Sequence, residues 1–135
     1  LGVDEAAFYD LRNFAIAPMG FCFPGQDAKG GDLPPRRECA PAWRDEVMVA
    51  MPQVKLVLAI GAYAQAWHLG ALNRRTLTET VSDWKEIIAT TESTVTVLPL
   101  PHPSWRNTAW LKRHPFFEAE LVPELQRRVR ELIWK

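Results

Sequence analysis

The chain has 135 residues, 47% of them hydrophobic, with 16 Lys and Arg set against 16 Asp and Glu. That length suits one domain around one core, and that apolar content excludes a disordered segment. Zero net charge gives no general support to nucleic-acid binding, so any basic surface has to be a local patch.

No apolar run reaches membrane-spanning length, and no stretch has the pattern of a signal peptide. Two cysteines make no disulfide framework, so the expected setting is a reducing cytoplasm. A monomer is expected. Residue 1 is Leu rather than Met, and the chain enters directly at Leu1-Gly2-Val3-Asp4-Glu5. We read it as a fragment of a longer polypeptide.

Taken in order, Asp4 is placed to cap a short helix over residues 5–9. Phe14-Ala15-Ile16-Ala17 is short and apolar and predicts a strand, ended or bulged by Pro18-Met19-Gly20. Residues 20–38 hold four glycines and three prolines and predict a long irregular loop. Lys29, Arg36 and Arg37 make that loop locally basic, which fits a solvated surface or a phosphate contact.

Pro41 suits a first helical turn. Trp43, Val47, Ala50 and Met51 follow at helical spacing and predict a helix with a buried stripe, stopped by Pro52. Val54–Ile60 is nearly continuous apolar, as in a central parallel strand covered on both faces. Gly61 and a helix over Ala62–Leu69, closed by Gly70, complete a βα unit. The glycine permits close approach; packing and phosphate binding explain it equally well.

Thr78 or Thr80 begins the next helix, running through Trp84 to Ile88. Thr94–Leu98 predicts a strand, rich in β-branched residues. Lys112, Arg113 and His114 form a basic cluster. Pro115 opens the last helix, whose apolar face is Leu121, Val122, Leu125, Val129, Leu132 and Ile133, with Pro123 marking a kink or a restart.

Three strands alternating with helices imply an α/β protein, a three-layer α/β/α sandwich with a mostly parallel sheet. In such folds the ligand site lies at the carboxyl ends of the strands. Residues 18–22, Gly61 and His102 all sit just past predicted strand ends. The stretch after the last strand is Leu98-Pro99-Leu100-Pro101-His102-Pro103-Ser104-Trp105-Arg106-Asn107. Its prolines should end the strand. It then sets an imidazole, a hydroxyl, an indole, a guanidinium and a carboxamide within six residues. A plain connector with His102 capping a carbonyl is the bland reading; a strand-end site is the sharper one.

His102-Pro103-Ser104 with Asn107 resembles the second active-site motif of the uracil-DNA glycosylase superfamily. Leu58-Ala59-Ile60-Gly61-Ala62 is similar to that family's central strand and following glycine. Cys22, Pro24-Gly25, Pro34-Pro35, Glu38 and Cys39 resemble its bacterial iron–sulfur branch, in which a second cysteine opens a helix. Three features depart from the pattern. No stretch matches the first motif, which positions the attacking water and is expected upstream of Leu1. Ala17-Pro18 stands where the family usually has an Asn that reads the uracil edge, and Trp105 stands where it often has proline.

The resemblance implies DNA as partner and excision of a damaged base as the activity, through a flipped nucleotide. It makes His102 the catalytic residue, donating a hydrogen bond to charge developing on the leaving base. It assigns DNA contacts to Gly61, Ser104, Trp105, Arg106 and Asn107. Ser104 would hold phosphate, while the three residues after it would enter the duplex or hold the gap. It also makes Cys22 and Cys39 two of four ligands of a [4Fe–4S] cluster in the longer protein; two thiolates do not hold such a cluster, so this chain alone should lack it. A reading from another class is a catalytically silent nucleic-acid-binding or scaffold domain of the same fold. A nucleotide-binding α/β protein would need a Gly-rich phosphate loop, which the sequence lacks.

Overall fold

A computed structural model describes residues 1–134. The chain forms two compact units, one made of Leu1–Ala15 with the chain from Lys55 on, the other of Ile16–Val54. Each is described by itself.

The first unit opens with helix α1, Glu5–Phe8, where Asp4 Oδ1 accepts from the Ala7 N–H at 2.8 Å, the expected cap. Two parallel strands follow in the chain: β1, Leu56–Ile60, and β2, Thr96–Leu100, paired from Leu56↔Thr96 to Ile60↔Leu100. The α/β fold and its parallel sheet are therefore as the sequence order implied. All five residues of β2 are buried, so that strand is covered on both faces. The even positions Leu98 and Leu100 join Val81, Ile88, Leu121, Leu125 and Val129 in one apolar core.

Three strand expectations need correction. Phe14–Ala17 is not a strand: no ladder partner reaches it, and the Phe14 N–H donates instead to Asp10 O at 3.1 Å, closing a turn. The sheet therefore has two strands among the described residues, not three. Nor is β1 covered on both faces along its length; Ala59 alone is buried and Ile60 is 41% exposed.

Finally, β2 does not end at Leu98 but runs through Pro99. The Thr96 N–H donates to Lys55 O, so donors facing β1 recur at even positions. Val97 and Pro99 face the other way. There the Val97 N–H is satisfied by Thr91 Oγ at 3.0 Å, and Pro99 has no N–H to satisfy.

Helix α3, Gly61–Leu69, follows β1 directly and ends at Gly70, whose φ of +52° suits a glycine stop. The next helix starts earlier than predicted, at Thr76, and breaks in two: α4, Leu77–Ser82, and α5, Trp84–Thr91. The start is a capping box, in which Thr76 Oγ accepts from the Glu79 N–H and the Glu79 carboxylate from the Thr76 N–H. The break lies at Asp83, whose carboxylate is held by Arg74 Nε at 2.7 Å. After β2 come α6, Thr108–Arg113, a π-helical turn over Phe117–Leu121, and α7, Val122–Ile133. Pro123 thus marks a restart. It has no N–H for the carbonyl one turn back, so the chain widens before the α-helix begins.

Glu124 in the first turn of α7 accepts from Arg127 at 2.7 and 2.8 Å and from Arg128 at 2.6 Å. Arg127 chiefly, then Arg128, hold its carboxyl down from 4.5 to about 2 against the opposing effect of burial. A carboxyl depressed by folding adds stability above its unfolded pKa and loses it as pH falls through the folded one. Urea midpoints should therefore fall as pH drops from 4.5 towards 2, and Glu124→Gln should flatten that fall. Equal slopes in wild type and variant would contradict the pairing.

In the second unit, residues 20–38 fold around Asp27. Its Oδ1 accepts from the Lys29 and Gly31 N–H groups at 2.8 and 2.9 Å, its own N–H donates to Gly31 O, and Leu33 N–H donates to Gly25 O. A Gln26↔Asp32 bridge closes this small hairpin, so the loop is more ordered than its composition implied. Helix α2, Cys39–Val49, contains Pro41 in its first turn as expected. Its apolar stripe is not buried: Trp43 is 54% exposed, and the buried side chain is Arg44, whose Nη1 donates to Ala17 O and Pro18 O at 2.8 and 3.1 Å. Two otherwise unmatched carbonyls outside regular structure explain why a guanidinium turns inward.

Candidate active site

Gly61 and His102 meet at the carboxyl end of the two parallel strands. Gly61 has φ +82°, a conformation that disfavours side chains, and a Cβ built there would lie 3.8 Å from His102 Cβ. The requirement for glycine is therefore conformational, since that spacing is ordinary contact. It lets β1 turn directly into α3 beside the His102 loop.

The loop holds itself. The His102 carbonyl accepts from the Ser104 N–H at 2.8 Å and from Asn107 Nδ2. Ser104 Oγ accepts from the Arg106 N–H at 3.3 Å, capping a 3₁₀ turn over Trp105–Asn107, and Asn107 N–H donates to Ser104 O at 2.9 Å. Sequence reasoning gave Ser104 and Asn107 to DNA and missed these structural tasks; serine, two residues and asparagine is itself a turn signature. His102 does not cap a carbonyl through its ring. Its backbone is tied down while its imidazole is exposed and makes no hydrogen bond to another described residue.

Trp105 is 81% exposed, with the Arg106 guanidinium 5.7 Å from its ring centre. The indole is therefore a loop surface group and not core. Arg106, Lys112 and Arg113 have no acidic partner among the described residues, whereas Arg74, Lys85, Arg127 and Arg128 are all ion-paired.

Two open clefts lie elsewhere in this unit. One is lined by Asp4, Asp10, Arg12, Asn13 and Trp134, the other by Arg74, Arg75, Glu79 and Asp83. Neither contains His102. Cys22 and Cys39 belong to the second unit; Cys22 is exposed and Cys39 half-buried at the start of α2. A side chain built at Gly20 would come 3.8 Å from Cys39 Cβ, so the segment leading to Cys22 runs beside Cys39.

Two parallel strands, with helix α3 leading directly out of the first and an exposed histidine on the loop past the second, define an α/β protein. The family model of the uracil DNA glycosylase superfamily matches residues 2–126. The chain belongs to that superfamily, whose members act on DNA as glycosylases, hydrolases of DNA repair.

Proposed function

We propose that the chain is the histidine-loop portion of a base-excision glycosylase that removes uracil or a related deaminated base from a flipped nucleotide. One observation carries this reading: an exposed imidazole with no hydrogen-bond partner among the described residues, on a self-braced loop, beside a left-handed glycine at the end of two parallel strands. As the N-glycosidic bond lengthens, positive charge builds on the sugar and negative charge on the base. An N–H of His102 donates to that negative charge. Water then adds to the sugar carbon, and its proton goes with the departing base.

Gly61 keeps the backbone low enough for the nucleotide to approach. The Ser104 hydroxyl hydrogen is left to donate to a phosphate oxygen, because its oxygen already accepts from Arg106 N–H. Trp105, Arg106 and the Asn107 turn face the duplex, the indole offering a stacking surface. The residue that positions water lies, in this reading, in a segment upstream of Leu1 of a longer cytoplasmic protein. Single-turnover assays of that protein on duplexes carrying uracil, hypoxanthine or xanthine should release at least one base. No release from any of the three would overturn the reading.

The protein also belongs, in this reading, to the iron–sulfur branch. Supporting it are two free thiols within one unit, with the Cys22 approach packed beside Cys39. They would hold half of a [4Fe–4S] cluster, which when bound cross-links the segments carrying its ligands. The anaerobically purified longer protein should show the broad visible absorbance of such a cluster and contain iron, and Cys39→Ser should lose both. A colourless, iron-free protein would end this assignment.

A further inference from the structure

We propose that Gln65 is a positioning residue for the His102 loop. This rests on the function proposed above and extends it to a residue that no motif singled out. Gln65 lies one helical turn after Gly61, so both share a face of α3. Helical side chains lean back towards the helix N-terminus, here the end where Gly61 meets His102. Gln65 Nε2 donates to Leu100 O at 2.9 Å. Leu100 is the last residue of β2 and stands two residues before His102. That bond fixes the Leu100–Pro101 peptide plane, and with it the direction in which the His102 loop leaves the sheet.

The setting is unfavourable for a carboxamide that only fills space. Gln65 is 1% exposed, and its Oε1 is buried without a hydrogen bond to any described residue. A buried acceptor left unmatched costs free energy that an apolar residue of equal size would not incur. Turning the amide over would set Oε1 against the Leu100 carbonyl oxygen, so the observed orientation is the one the contact allows. Among the described residues, the side chain's one hydrogen bond goes to the strand end that carries the histidine.

The test is a double-mutant cycle in the longer, full-length protein. Gln65→Met keeps length and removes the donor; Gln65→Asn keeps the amide but falls short of Leu100. Each should slow single-turnover excision by about 10–100-fold, the scale of a misplaced catalytic group, with duplex affinity unchanged within about twofold. In a His102→Ala background each should cost less than about threefold further, because a positioning residue acts through what it positions.

Equal losses in both backgrounds would overturn the proposal and leave a structural role. So would failure of both variants to fold, judged by circular dichroism, since Gln65 would then serve the core. If His102→Ala slows excision and neither Gln65 variant does, only the positioning role falls. If His102→Ala itself has no effect, the proposed function fails first and this inference with it.

Discussion

Replacing His102 with alanine in the full-length protein is expected to slow single-turnover excision by about 10²–10³-fold, the usual cost of deleting one donor to a developing oxyanion. The imidazole is exposed and makes no hydrogen bond to another described residue, while the loop is braced through the His102 carbonyl, which alanine retains. Thermal stability should therefore be nearly unchanged, and duplex affinity with it, since phosphate contacts dominate affinity. Arg106→Ala should show the opposite pattern, with weaker binding and a salt slope lower by about one, and little change in the bound-state rate. Wild type and His102→Ala with indistinguishable, measurable rates would remove His102 from the chemistry.

Leu98→Ala should destabilise the chain by about 2–5 kcal/mol, the range for truncating a fully buried leucine. Leu98 is 0% exposed and central to β2, packed with Val81, Ile88, Leu121, Leu125 and Val129. Those partners come from α4, α5 and α7 and the π-helical turn, so no single element can move in to close the cavity. Small domains are typically stable by only about 5–15 kcal/mol, so a large share of the folded population is at stake near physiological temperature. Chemical denaturation should give a lower midpoint with an unchanged slope. A loss below about 1 kcal/mol would mean that the β2 core is looser than its burial implies.

Much of this was legible before any coordinates. Val54–Ile60 and Thr94–Leu98 announced parallel strands, because a run of apolar and β-branched residues pairs and buries well. Asp4, Gly61, Gly70 and Pro123 announced a cap, a turn, a stop and a restart through backbone chemistry alone. The His102-Pro103-Ser104 loop with Asn107 announced a family, and the family model agrees.

Tertiary structure decided the rest, because each remaining question turned on a partner distant in sequence. Phe14–Ala17 has strand composition but no neighbouring strand to bond with, and composition carries no information about neighbours. Pro99 continues β2 because Val54–Ile60 lies on the side its missing N–H does not face. Arg44 turns inward because Ala17 and Pro18 leave carbonyls there. Gln65 reads as an ordinary helix residue until Leu100, 35 positions on, is placed beside it. Local patterns specify elements. Hydrogen-bond partners across the fold determine which of them pair, what is buried, and which side chains are left free to act.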